Sequence, residues 1–287
     1  MKLTNNMGLP GPFVRFVESR QRRPDPDRLS VTGLIGPAWQ RKLMLRYWDE
    51  LEADASESVW SLFGTAVHDL LEKYADPAEH IVEEPIRIAS GDRHVIGHPD
   101  LLSTRDGVLT DYKVTSVWSL ILGGRAEWTA QLNLYAHGMR QAGHTVHRVQ
   151  NIVFLRDWSA GKAMAGGDYP SSMVVVVPQT LWSEGECDAY LQARFAAHDD
   201  PAPCSAEERW LRQSTWAVMK EGRKTAVRVF DNPLEAEALA AQASKQTVVE
   251  RPGRAVRCES YCSVRAVCPY APAASQAASE GGTNGEV

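Results

Sequence analysis

Asp100, Asp111 and Lys113 are the residues whose types and spacing point most directly to chemistry. They frame Asp-Leu-Leu-Ser-Thr-Arg-Asp-Gly-Val-Leu-Thr-Asp-Tyr-Lys, two apolar runs joined by Arg105-Asp106-Gly107. Asp-Gly is a strong turn signal, because Gly accepts positive φ and Asp bonds its own backbone. The pattern predicts a hairpin that brings the three charged groups to one edge. Side chains alternate along a strand, so Asp111 and Lys113 share a face of the run from Val108 to Val114. Two carboxylates and an ammonium at one spot suit a hard divalent cation and a water to be deprotonated. In outline that is hydrolytic phosphodiester chemistry.

A lone Asp-x-Lys arises roughly once by chance in a chain this long, so the elements around it carry the weight. Gly97-His98-Pro99-Asp100 stands just upstream, with a small residue and a Pro where the strand must kink. A helix from about Ser58 to Tyr74 is predicted, with Phe63, Val67, Leu70, Leu71 and Tyr74 as its apolar stripe, and it carries His68. Strands are predicted near Ile81 to Ile88, His94 to Leu102 and Val108 to Val114, then a short helix over Trp118 to Leu122 ended by Gly123-Gly124. Glu127 to Gln141 reads as a helix on which Gln131 and Tyr135, four apart, share a face. Buried strands at Val149 to Leu155 and Met173 to Val177 and a helix at Trp182 to Ala197 complete the pattern. Nearer the start, Ser30 reads as an N-cap, with Gly36-Pro37 interrupting the helix before Trp39 to Trp48. The expected class is α/β, three layers deep, with a central mixed sheet flanked by helices.

Four of these features, in this order, resemble the PD-(D/E)xK nuclease superfamily, in particular its RecB-like exonuclease branch with CRISPR-associated and phage-encoded members. They are His68 in a helix, Gly97 to Asp100, Asp111-Tyr112-Lys113, and Gln131 to Tyr135. The resemblance covers about residues 30–200 and implies a restriction-endonuclease-like core. It implies Mg²⁺ or Mn²⁺ held by His68, Asp100, Asp111 and the carbonyl of Tyr112, with Lys113 orienting or deprotonating water or offsetting charge on the phosphate. Gln131 and Tyr135 would contact DNA or brace Lys113, with core packing of Tyr135 as the plainer alternative. Of Glu83 and Glu84, strand alternation lets one face the site, and Glu84 is the expected one.

Cys258, Cys262 and Cys268 form a C-x3-C-x5-C run followed by Pro269. In an intracellular chain, close thiols point to metal. Cys204 is the preferred fourth ligand, and Cys187 reads as a small buried hydrophobe. The resemblance implies a [4Fe–4S] cluster, with Zn²⁺ as the alternative. This chain departs from the family pattern, which usually takes its first cysteine from the N-terminal helical region; Gly36-Pro37-Ala38-Trp39 stands there instead.

The expected organisation is a basic extended arm over residues 1–29, a nuclease core over 30–200, a cysteine-bearing segment over 201–270, and a disordered tail over 271–287. Within the third part, Trp216 to Lys220 and Thr225 to Phe230 are predicted to pair across Glu221-Gly222-Arg223, followed by a helix over Pro233 to Ser244. The 287 residues are 44% hydrophobic and 23% charged, ordinary globular material, and a formal net charge of −5 does not advertise a nucleic-acid binder. Local basic clusters at Arg20 to Arg46 and Lys220 to Arg228 are able to serve a polyanion nonetheless. Trp216 and Trp118 are candidates for stacking on bases. No apolar run approaches the ~20 residues that cross a bilayer, so a soluble, cytoplasmic protein is expected. The expected partner is single-stranded DNA or DNA ends, in recombination, repair or CRISPR adaptation. A structure-selective endonuclease and a non-catalytic recombination accessory protein are the competing readings.

Overall fold

The computed structural model describes residues 1–121 and 126–272, and the chain divides into two units after Ala202. The first unit opens with β1 (Lys2–Thr4), α1 (Gly11–Arg20), α2 (Val31–Ile35), α3 (Ala38–Tyr47) and β2 (Glu52–Asp54). Helix α4 (Val59–Lys73) follows, then β3 (His80–Ile81), β4 (Ile86–Ser90), β5 (Arg93–Gly97), β6 (Leu101–Ser103) and β7 (Val108–Thr115). The unit ends with α5 (Val117–Ile121), α6 (Ala126–Gln141), β8 (Arg148–Leu155), α7 (Ala160–Ala165), β9 (Val174–Gln179) and α8 (Glu184–Asp199).

The central sheet is mixed, in the order β3-β6-β7-β8-β9. Only β7 and β8 run parallel, joined by a crossover that contains α6. That helix is buried nearly all round from Trp128 to Met139, as an interior crossover helix must be. Its Leu132, Leu134 and Met139 join Leu109, Val149 and Leu191 in the main core. Local capping matches the sequence: Ser30 Oγ accepts from Gly33 N at 3.1 Å, and Ser183 with Glu186 forms a capping box at the start of α8. Gly36-Pro37 does separate α2 from α3.

The N-terminal stretch departs from the expected extended arm. Strand β1 pairs parallel with β2, and Pro12 in the first turn starts α1 rather than preventing it. The predicted strand over Ile81 to Ile88 is broken between β3 and β4, where Glu83 takes φ 48° and Pro85 cannot donate to a ladder. The predicted strand from His94 to Leu102 likewise splits at Pro99: β5 pairs with β4, and β6 enters the central sheet. Helix α4 forms as expected, yet its stripe is not core: Phe63, Leu70 and Tyr74 are more than half exposed. The proposed helix stop at Gly123-Gly124 and the tail beyond residue 272 lie outside the described residues.

The second unit, starting at Pro203, holds β10 (Leu211–Arg212), β11 (Thr215–Lys220), β12 (Arg228–Phe230), α9 (Pro233–Ala241), β13 (Gln246–Arg251), β14 (Arg254–Ala255) and α10 (Val256–Ser260). Strands β11 and β12 pair antiparallel, as their sequence predicts, and β13 adds to the other edge of β11. Among the described residues, no helix is long and apolar enough to cross a membrane.

Candidate functional site

Antiparallel pairing sets Leu101 opposite Thr110, so Asp100 stands one step beyond, beside Asp111. Gly107, at φ 64°, makes the turn that fixes this register. Both aspartates are buried, at 7% and 1% exposure. One oxygen of Asp100 accepts from the Tyr112 backbone N–H at 2.6 Å, which leaves the other directed toward His68 Nδ1, 3.4 Å away. His68 Nε2 lies 3.0 Å from the Tyr112 carbonyl oxygen. In an octahedral site with bonds of ~2.1 Å, neighbouring ligand atoms stand about 3.0 Å apart, so that pair has the spacing of two adjacent cation ligands.

Ligand atoms of His68, Glu83 and Asp100 all lie within 4.8 Å of one another. This corrects the sequence reading, which favoured Glu84. Alternation does not apply where the strand is broken, and the left-handed backbone at Glu83, with its N–H bonded to the Pro99 carbonyl at 3.0 Å, turns the earlier carboxylate inward. Glu84 is exposed. His68 and Glu83 line a cleft of about 500 Å³ that also takes in Arg20, Ser61, Thr65 and His98. A hydrogen bond to Asp100 pushes the His68 imidazole up, and burial followed by repulsion from Asp100 pushes Glu83 up. Burial raises Asp111 to about 6, against the pull of Lys113. Carboxylates crowded this way, with an imidazole hydrogen-bonded among them, are the donor set that Mg²⁺ or Mn²⁺ accepts.

Asp111 does not belong to that trio of ligand atoms; it is engaged on the other side, with Lys113. The Lys113 Nζ reaches its two oxygens at 2.9 and 2.7 Å and Gln131 Oε1 at 2.9 Å. With three acceptor oxygens around its donors, the Lys113 ammonium is fixed in place beside the Asp111 carboxylate. Gln131 Nε2 in turn donates to Tyr135 Oη at 3.1 Å. The pair therefore braces Lys113. Neither is set out for DNA: Tyr135 is 5% exposed, and Gln131 is spent on Lys113 and Tyr135.

Gly97 explains how the Tyr135 ring comes so close. A Cβ there would meet Tyr135 Cε1 at 2.7 Å and Val31 Cγ2 at 3.0 Å. Gly97→Ala is therefore expected to destabilise the first unit by about 1–3 kcal/mol, the usual cost of overpacking, and to disturb the brace on Lys113. Urea denaturation measures the first effect.

Sequence reasoning missed Asn151 altogether. It is fully buried, pairs with Asp111 in the parallel register of β7 and β8, and donates to Asp111 Oδ2 at 2.8 Å. The available signal was an amide, Asn151, inside the otherwise apolar run from Val149 to Leu155, next to Gln150.

The cysteines belong to a separate place. Cys187 is buried in α8 with its thiol toward the Asn133 carbonyl, a packing residue as expected. Cys204, Cys258, Cys262 and Cys268 all lie in the second unit and are half-buried. Pairing of β10 with β14 and the Arg257 N–H bond to the Arg209 carbonyl draw the segment after Cys204 to Cys258. Burial pushes the Cys204 thiol up to about 11, and the three other thiols add to the rise, so the four sulfurs sense one another. Arg209, Arg257 and Arg265 act on Cys258 in the opposite direction.

No family profile and no curated protein matches this chain. Among solved structures, the crystal structure of SSO0001 is similar at 11% identity and a TM-score of 0.46, over 69% of this chain and 86% of that one. Likeness at that level carries no argument about function. The fold and site define a mixed α/β protein with a central mixed sheet and a His-Glu-Asp set able to hold a cation.

Proposed function

We propose that the first unit is a metal-dependent deoxyribonuclease of the PD-(D/E)xK type, RecB-like, and most specifically an exonuclease on single-stranded DNA or DNA ends. The observation that carries this reading is the convergence of His68, Asp100 and the Tyr112 carbonyl beside an Asp111–Lys113 pair. His68, Glu83, Asp100 and Tyr112 would hold Mg²⁺ or Mn²⁺, with Asp111 completing the set. A cation held there supplies charge to a phosphate oxygen and acidifies water. Asp100 and Asp111 fix the backbone and the ammonium around it. Lys113, steadied by Gln131 and Tyr135, offsets the charge that builds on the phosphorus oxygens as the bond to the leaving oxygen breaks. Arg20 on the cleft wall is placed to meet a phosphate.

The test is cleavage of end-labelled single-stranded DNA with Mn²⁺, set against a circular strand that has no ends. Wild-type protein is expected to degrade the linear strand alone. Lys113→Met is expected to lose about a hundredfold to a thousandfold of the rate, the range for removing one stabiliser of transition-state charge. Cleavage of the circle would favour the endonuclease alternative. Absence of any cleavage, or full activity in Lys113→Met, would overturn the catalytic reading in favour of a DNA-binding accessory role. Mn²⁺ is also expected to raise the melting temperature, because it binds the folded state alone, and Asp100→Asn is expected to remove that rise.

In the second unit, the reading is a structural metal centre with Cys204, Cys258, Cys262 and Cys268 as ligands. Among the described residues, no three thiols lie within 4.8 Å of one another. Tetrahedral zinc with Zn–S of ~2.3 Å needs its sulfurs about 3.8 Å apart, whereas a four-iron cube holds them wider. The choice of [4Fe–4S] over Zn²⁺ rests on the resemblance of the cysteine run, and iron and sulfide analysis tests it.

A further inference from the structure

We infer that Asn151 is a positioning residue of the hydrolytic site, held through Gln179 and Thr129, so that one oxygen of Asp111 is kept for the cation. This rests on the nuclease reading above and deepens it. Asn151 Nδ2 donates to Asp111 Oδ2 at 2.8 Å, Gln179 Nε2 donates to Asn151 Oδ1 at 3.0 Å, and Thr129 Oγ1 donates to Gln179 Oε1 at 2.6 Å.

The chain has one direction. An ionised carboxylate only accepts, so Asn151 must turn its amide NH₂ to Asp111 and its carbonyl oxygen to Gln179. Gln179 must then present its NH₂ to Asn151 and its oxygen to Thr129, whose hydroxyl supplies the last hydrogen. Reversing any link leaves two donors or two acceptors facing each other. Because Asn151 is fully buried, such a mismatch has no solvent to relieve it.

The chain also closes on itself. Thr129 and Gln131 are both on α6, and Gln131 holds Lys113 while Thr129 reaches Asp111 through two amides. One helix thereby fixes both members of the Asp111–Lys113 pair. Asp111 Oδ2 meets Lys113 at 2.7 Å and Asn151 at 2.8 Å, whereas among the described residues Oδ1 meets only Lys113, at 2.9 Å. Oδ1 is therefore the less engaged of the two oxygens, and the one that would turn to a cation held by His68, Glu83 and Asp100. Removing the amide frees the carboxylate to rotate and lowers the fraction of time that Oδ1 is presented. Partners of ligating carboxylates typically change metal affinity by 10–100-fold.

The experiment measures Mn²⁺ binding by isothermal titration, together with the Mn²⁺ concentration for half-maximal cleavage of single-stranded DNA. The full-length wild type is compared with Asn151→Ala, Thr129→Val and Thr129→Ser. Asn151→Ala is expected to weaken Mn²⁺ binding about 10–100-fold. Thr129→Val, nearly isosteric, is expected to weaken it several-fold, and Thr129→Ser, which restores the hydroxyl, to regain the wild-type value. A purely structural chain would lower the stability of Thr129→Val more than that of Thr129→Ser without separating their Mn²⁺ affinities. Thr129→Val and Thr129→Ser with the same wild-type affinity would overturn the positioning role, even if Asn151→Ala does not fold. A wild type that binds Mn²⁺ but hydrolyses no DNA would instead overturn the nuclease reading, while the affinities still decide the positioning role.

Discussion

Asp111→Asn is expected to lower Mn²⁺-dependent DNA hydrolysis by at least about a thousandfold, on the order of 4 kcal/mol of transition-state stabilisation. The size follows from how many roles the carboxylate fills. It accepts from Lys113 on both oxygens and from Asn151 on one, inside a site where it is almost wholly buried. An amide has a single acceptor oxygen and carries no charge. Its NH₂ would face the Lys113 ammonium or the Asn151 NH₂, donor against donor. Lys113 would lose its ion-pair partner and keep Gln131 alone, so its position over the phosphate would no longer be fixed. Single-turnover cleavage with saturating Mn²⁺ isolates this effect, and circular dichroism with melting shows that the fold persists. A variant that cleaves within tenfold of wild type would remove Asp111 from the chemistry.

The second large effect is expected at the cysteines. Anaerobically purified protein should be coloured and carry about four irons with matching sulfide per chain. Cys262→Ser or Cys204→Ser should lose the iron and open the second unit to protease. The reason lies in its interior: among the described residues, its buried apolar side chains are Ala217, Val218, Ala236, Ala255 and Val264, none larger than valine. So little apolar burial does not hold a small domain unaided, and the proposed metal staple would make up the deficit, since binding and folding free energy would then be the same. Limited proteolysis alongside iron analysis reads both consequences. Colourless, zinc-loaded protein would overturn the cluster assignment and leave the hydrolytic site untouched. Metal-free protein with full protease resistance would overturn both metal readings.

What the sequence made legible was local. Alternation along Val108 to Val114 placed Asp111 and Lys113 on one face, and the Asp-Gly turn placed Asp100 beside them, because period-two geometry and turn chemistry need no knowledge of the rest of the chain. The choice between Glu83 and Glu84 failed on the same rule, applied where it does not hold. Pro85 and the left-handed Glu83 interrupt the strand, so alternation has nothing to act on. Asn151 was out of reach for a different reason. Its partnership with Asp111 depends on the parallel register across a crossover of some thirty residues, and no local pattern encodes that register. Gln131 and Tyr135 were found by their i, i+4 spacing, but whether they touch a ligand or a neighbour depended on burial that only packing defines. The stripe on α4 shows the converse: apolar periodicity marks a helix reliably, yet Phe63 and Tyr74 remain exposed because amphipathicity does not say what covers the face.

The most direct test is a crystal soaked in Mn²⁺, with anomalous scattering used to locate the ion. A peak bonded to His68 Nε2, the Tyr112 carbonyl and carboxylate oxygens of Glu83 and Asp100, with Asp111 alongside, is the expected result. A peak elsewhere, or none at saturating Mn²⁺ with the His68–Tyr112 hydrogen bond intact, would contradict the cation site on which the proposed hydrolysis depends.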